Sequence, residues 1–249
     1  VMGLHSFFQQ KMIPLESVMS KVWNKKIFEH IQKDVDRASK DLAEERGACP
    51  DAEDYGIKER FSNKTAIAPT ASISIICGGT SPGVEPIAAN SYTHKTLSGS
   101  FNVRNRYLEK LLEKHNKNDD ETWSGITTNQ GSVSHLDFLT QQEKDVFKTA
   151  FELDQKWIVE LGADRTPHIS QAQSINIFVP ADIHKKELHQ IHFQAWKKGL
   201  KSLYYCRSKS IQRAENVNDK NLTDVTANVY KSKNKQADQP DYEECLSCQ

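Results

Sequence analysis

Cys245-Leu246-Ser247-Cys248 places two thiols three residues apart, one residue from the end of a 249-residue chain. A pair at that spacing can close a disulfide and reopen it by thiol exchange, or lend two soft ligands to a metal. A zinc ribbon would need a second pair, and Cys49, Cys77 and Cys206 stand singly. A redox dithiol, a metal-binding pair and an inert pair therefore all remain open. The stretch that carries the thiols, residues 208–242, is rich in Lys, Asp, Asn and Gln, and Ile211, Val217, Leu222, Val225 and Val229 form no core-sized stripe. As a flexible tether of about 40 residues it would reach on the order of 35 Å, enough to move a dithiol between a buried site and an external partner.

Two other segments carry chemistry. Pro69-Thr70-Ala71-Ser72-Ile73-Ser74 combines small residues with hydroxyls, so a backbone turn there could bring several N–H groups to phosphate oxygens. It is no Walker loop, because the Gly-rich run that follows lacks the Lys-Ser/Thr ending; an ordinary turn is the plainer reading. Tyr204 and Tyr205 are adjacent, and in a strand their rings would point to opposite faces, one toward a core and one outward. Such a pair usually packs. Phenols can also pass on an electron with a proton, so two of them in a chain with a mobile dithiol raise the possibility of radical chemistry.

The elements that must position these residues follow from apolar spacing. Residues 14–45 carry Leu15, Val18, Met19, Val22, Trp23, Ile27, Phe28, Ile31, Val35, Ala38 and Leu42 at helical intervals, predicting one long helix or two shorter ones that stop near Gly47 and Pro50. The β-branched run Ile73-Ser74-Ile75-Ile76 predicts a short buried strand or loop. Residues 102–115 read as a helix and 116–121 as a solvated loop. Thr140-Gln141-Gln142-Glu143 is a capping box opening a helix whose end Gly162 marks. Ser174-Ile175-Asn176-Ile177-Phe178-Val179 alternates as a strand, residues 182–199 are helical, and Ser202-Leu203-Tyr204-Tyr205-Cys206 reads as a second short strand. Alternating helices and strands with polar connections give an α/β architecture rather than a bundle.

Bulk properties exclude some functions. Thirty-three basic residues balance 33 acidic ones, which argues against a dedicated nucleic-acid binder. No apolar run approaches the roughly 20 residues that span a bilayer, and no N-terminal segment reads as a signal peptide, so no membrane partner and a reducing, cytoplasmic setting are expected. The chain opens on Val1 and enters helical material within a few residues, which fits a fragment or one product of a split gene.

Six segments together resemble the C-terminal part of the large, catalytic subunit of a class I ribonucleotide reductase, specifically a ribonucleoside-diphosphate reductase. They are Ala43-Glu44-Glu45-Arg46-Gly47-Ala48-Cys49-Pro50, the Pro69 to Ser74 segment with Ala68 before it, Gly83-Val84-Glu85-Pro86, Asp164-Arg165-Thr166-Pro167-His168-Ile169-Ser170-Gln171-Ala172-Gln173-Ser174-Ile175-Asn176, Lys198-Gly199-Leu200-Lys201-Ser202-Leu203-Tyr204-Tyr205, and the terminal Cys245 and Cys248. Their order makes the match specific.

The resemblance implies the latter portion of a ten-stranded α/β barrel over residues 1–207, followed by a flexible tail over 208–249. It implies that Pro69, Thr70, Ala71, Ser72 and Ile73 bind the substrate diphosphate; Ile73 departs from the hydroxyl residue common there, which keeps the backbone donor and loses one side-chain contact. Tyr204 and Tyr205 would relay the radical, and Cys245 and Cys248 would re-reduce the active-site disulfide and be reduced in turn by thioredoxin or glutaredoxin. Cys49, Cys77 and Cys206 match none of these roles and are read as structural. No cofactor or metal is expected on this chain, the radical coming from a metal-containing small subunit. The radical-forming cysteine, its Asn and Glu neighbours, the other redox pair and the regulatory sites belong to the part of the family's subunit that precedes this region. An N-terminal half, in cis or as a separate chain, is therefore an expected partner, beside the small subunit and a ribonucleoside diphosphate. The competing expectation is a non-catalytic thiol-bearing module derived from that enzyme.

Overall fold

A computed structural model describes residues 1–96 and 99–208. Helix α1 (Leu4–Gln10) leads through a turn to α2 (Val18–Arg46), where the Ser17 hydroxyl accepts from the Ser20 N–H at 3.1 Å and so fixes the start. The 29 residues of α2 run unbroken to Gly47, whose φ of 83° ends it. Short α3 (Pro50–Glu53) and α4 (Ala71–Ile76) follow, then a hairpin of β1 (Ser91–Thr96) and β2 (Gly99–Arg104), antiparallel with Ser91 opposite Arg104. Helices α5 (Arg106–Lys114), α6 (Asp120–Thr128), α7 (Gln141–Val146) and α8 (Gln155–Arg165) precede a 3-10 turn at Thr166–His168. Strand β3 (Ile177–Val179) then crosses over through α9 (Lys185–Lys197) to a parallel β4 (Cys206–Ser208), with Ile177 opposite Cys206.

Apolar side chains gather in three clusters. Leu4, Phe8, Phe28, Ile67, Val84 and Ile169 join α1 and α2 to the loops. Leu108, Leu112, Trp123, Ile126, Val146 and Phe147 fill the space between α5, α6 and α7. Ile158, Val159, Leu161, Ile175, Ile177 and Ile191 seat α8 and α9 on β3. Gly162 lies within α8 rather than ending it; a Cβ there would stand 2.7 Å from Ile175 Cδ1, so its bare backbone lets the helix approach the segment before β3. The capping box is formed as expected, with the Thr140 N–H donating to Glu143 Oε2 at 2.8 Å and the Glu143 N–H to Thr140 Oγ1 at 3.3 Å.

Several expectations are corrected. The run at 73–76 is helical, and Ile73, Ile75 and Ile76 face solvent, because the turn at Thr70 starts a helix that the β-branched residues cannot veto. Residues 102–104 belong to β2, and Asn105 caps the helix by accepting from the Tyr107 N–H at 3.0 Å. The charged stretch at 116–121 already starts α6, capped by Asp119 accepting from the Thr122 N–H at 2.8 Å. The helix opened at Thr140 stops at Val146, and α8 is a separate element. Among the described residues the four strands form two separate two-stranded sheets, so the expected ten-stranded portion is not displayed as a closed barrel.

Candidate active site

The segment from Ile67 to Ser74 is held from two sides. On one, the Ile67 N–H donates to the Ala172 carbonyl at 3.2 Å and the Ser174 N–H to the Ile67 carbonyl at 2.9 Å, tying it to the stretch that runs into β3. On the other, the Gly83 N–H donates to Thr70 Oγ1 at 2.7 Å. Gly83 has a φ of 48°, and a Cβ on it would sit 3.0 Å from the Ala68 carbonyl oxygen, so only glycine lets the two backbones meet here.

Thr70 itself is left-handed, with φ 53°, a conformation that costs a residue with a Cβ about 1–2 kcal/mol. Its hydroxyl is occupied by Gly83 and does not cap α4. The first-turn amides of α4, at Ala71, Ser72 and Ile73, thus have no intrahelical acceptor and no side-chain cap, while Ser72 and Ile73 are exposed. Ser74 is buried and turns its hydroxyl back to the Ala71 carbonyl at 2.7 Å. Of the expected phosphate residues, then, Pro69 and Thr70 shape the turn, and Ala71, Ser72 and Ile73 offer backbone donors.

Tyr204 and Tyr205 precede β4 rather than lying in it, and their rings do not diverge. The ring centroids are 4.1 Å apart, and both residues are nearly half exposed. Backbone bonds hold the pair to the approach to β3: the Tyr204 N–H donates to the Ile175 carbonyl at 2.8 Å and the Ile177 N–H to the Tyr205 carbonyl at 2.9 Å. The Tyr205 N–H goes instead to a side chain, Asn176 Oδ1, at 3.1 Å. Asn176 Nδ2 donates in turn to Glu85 Oε2 at 2.6 Å. Burial pushes the Glu85 carboxyl above its ordinary pKa, against the opposing pull of the Asn176 hydrogen bond and the Arg207 charge. The Arg207 guanidinium lies 5.9 Å from the centre of the Tyr205 ring, and its Nε is buried with no hydrogen-bond partner.

Sequence reasoning named the loop and the tyrosines but not the residues that join them, Gly83, Glu85 and Asn176. All three stand in the matched segments, and a buried Asn paired with a carboxylate 91 residues away has no sequence signal of its own. Lys201 was missed similarly: its ammonium donates to the carbonyls of Ile169, Ser170 and Gln171 at 3.1, 2.7 and 3.2 Å, clamping the stretch before Asn176. Cys77 and Cys206 are exposed and Cys49 half-buried, so burial does not support the structural reading of these thiols. Cys245 and Cys248 lie outside the described residues. Among the described residues no group of three or more His, Cys, Asp or Glu is arranged to hold a metal ion, and no helix is long and apolar enough to cross a membrane.

The fold and this site define a class. The model of the ribonucleotide reductase barrel domain matches residues 1–59 and 51–206, and the chain belongs to that family. It matches the large subunit of the class I enzymes. It is 48% identical over 226 residues to the ribonucleoside-diphosphate reductase large subunit of Invertebrate iridescent virus 6, covering 89% of this chain and 23% of that one. To large chain 2 of the Saccharomyces cerevisiae enzyme it is 32% identical over 245 residues, covering 86% of this chain and 28% of that one. The solved class Id ribonucleotide reductase alpha subunit of Actinobacillus ureae matches with a TM-score of 0.78 at 38% identity, covering 84% of this chain and 38% of the other. The chain thus spans roughly a quarter of the length of these two curated relatives.

Proposed function

We propose that this chain works as the C-terminal part of a ribonucleoside-diphosphate reductase large subunit, converting ribonucleoside diphosphates to deoxyribonucleoside diphosphates together with the rest of that subunit and a radical-generating small subunit. The observation that carries the reading is the agreement of fold and sequence with large subunits over most of the chain, 84% of it in the solved class Id alpha subunit.

Within that reading the uncapped first turn of α4 receives the diphosphate. Three amide donors without a side-chain cap are offered to an anion there, and the Ile73 side chain leaves its own N–H able to contribute. The close, mutually tilted pair Tyr204 and Tyr205, with ring planes 50° apart, passes the oxidising equivalent inward. Each phenol in turn gives up one electron and one proton and takes both back when the next group is oxidised, so neither is consumed. Cys245 and Cys248 reduce the active-site disulfide by exchange, becoming a disulfide that thioredoxin or glutaredoxin reopens.

The test is reconstitution. The chain combined with the remaining part of the large subunit and the small subunit should form deoxynucleoside diphosphate, and the chain with the small subunit alone should not. In the active assembly Cys245→Ser or Cys248→Ser should lose multiple turnover with thioredoxin while keeping it with dithiothreitol. Product from the chain and small subunit alone, or no product from the full assembly, would overturn the reading; the second result would favour the non-catalytic module.

A further inference from the structure

Glu85 and Asn176 take no part in the chemistry proposed above, yet they form a side-chain connection between the segment that holds the substrate loop and the tyrosine pair. Gly83, two residues before Glu85, donates to Thr70, and Asn176 receives the N–H of Tyr205. The Asn amide has one orientation that satisfies both neighbours. Its oxygen must face the Tyr205 N–H, which can only donate, and its NH2 must face the carboxylate, which when ionised can only accept. Around it the Tyr204 N–H and the Tyr205 carbonyl are held by backbone partners, and only the Tyr205 N–H depends on a side chain. A shift of Asn176 therefore moves Tyr205 first, and with it the ring whose centre lies 4.1 Å from that of Tyr204.

We propose that Glu85, acting through Asn176, is a positioning residue for the Tyr204–Tyr205 pair, setting the ring geometry on which radical transfer depends and linking it to the diphosphate loop. The proposal rests on the relay reading of the two tyrosines. In its ionised form the carboxylate fixes the polarity of the amide, because it can only accept, whereas a neutral partner could donate or accept. Burial favours the arrangement, since water that would compete for the Asn amide is excluded.

The polarity can be inverted, and that supplies the test in the reconstituted holoenzyme. In Asn176→Asp two carboxyls face each other and can hold together only by binding a proton between them, so in assays at alkaline pH, where that proton is lost, they repel and the link breaks. In the double variant Asn176→Asp with Glu85→Gln, the Gln amide donates to the new carboxylate, whose second oxygen still accepts from the Tyr205 N–H. The single variant should lose about 10- to 100-fold in kcat with the KM for the diphosphate little changed, and the double variant should recover most of that loss. Ring geometry is read separately, with Tyr205 replaced by 3-aminotyrosine and the trapped radical examined by electron paramagnetic resonance. Its β-methylene hyperfine couplings follow the torsion of the ring, so they should change in Asn176→Asp and return in the double variant, which a loss of stability alone would not produce. Wild-type kcat and couplings in Asn176→Asp would overturn the proposal, as would a double variant no better than the single one while folded by circular dichroism. Should Asn176→Asp fail to fold, a folded double variant with altered couplings would overturn it equally. Failure of the relay reading is a different result: Tyr205→Phe would then turn over normally whatever Asn176 does.

Discussion

The α5–α7 region and the loop that opens α4 obey opposite rules. In the first, Asn105, Asp119 and Thr140 each cap a helix with a side-chain oxygen, and Leu108, Leu112, Ile126 and Phe147 are wholly buried. In the second, α4 starts from a left-handed Thr70, has no cap, and exposes Ile76 to 85%. Local preference, patterning and packing agree in one region and conflict in the other. Residues that break local rules while their neighbours hold them in place are where function is expected, because a ligand or a partner can supply what the fold leaves unsatisfied.

The largest effect that separates the two regions is on turnover. In the reconstituted assembly, Tyr204→Phe and Tyr205→Phe each remove one hydroxyl and should reduce deoxynucleotide formation to background without a comparable loss of diphosphate binding. Tyr107→Phe, in the packed region, should leave turnover intact; equal activity in all three would erase the functional distinction.

Stability should show the reverse contrast. Trp123→Ala empties a buried site between α5 and α6 and should cost about 3–5 kcal/mol in urea denaturation. Ile76→Ser, on the exposed face of α4, should change stability by no more than about 0.5 kcal/mol, and a large loss there would mean that the face is packed after all.

His5 sharpens the comparison from beneath the second region. Its ring is fully buried, its Nδ1 accepts from the Ile87 N–H at 3.1 Å, and burial pushes its pKa from 6.5 down to about 4. The unfolded chain therefore takes up a proton below pH 6.5 that the native state refuses until about pH 4, so this contribution is complete above 6.5 and lost as the pH falls through that window. The loss should reach about 3 kcal/mol. Comparing wild type with His5→Gln across the window isolates it from the carboxylates, and parallel stability curves would contradict the assignment.

The smallest effect belongs to the capping box. Thr140→Ala removes the acceptor of the Glu143 N–H and should cost about 1 kcal/mol, seen as a modest drop in melting temperature with no change in turnover.

How much of this was legible depends on the range of the interactions. The capping box at Thr140, the helical run of α2, a strand over Ile177–Val179 and the helix α9 are set by residues a few positions apart and were legible in the sequence by itself. So were the ordered motifs that mark the family. The sequence left one helix or two open for α2 and began the strand at Ser174, with an alternation that the fully buried β3 does not show. The β1–β2 hairpin, the helical state of residues 71–76 and the meeting of the two tyrosine rings were decided by tertiary structure. The link from Thr70 through Gly83 and Glu85 to Asn176 and Tyr205 joins positions up to 91 residues apart across its single hydrogen bonds. No local propensity encodes such a contact: each residue's preference is satisfied in many conformations, and only the packed backbone, with Gly83 pressed against the Ala68 carbonyl, selects the one in which the carboxylate reaches the amide.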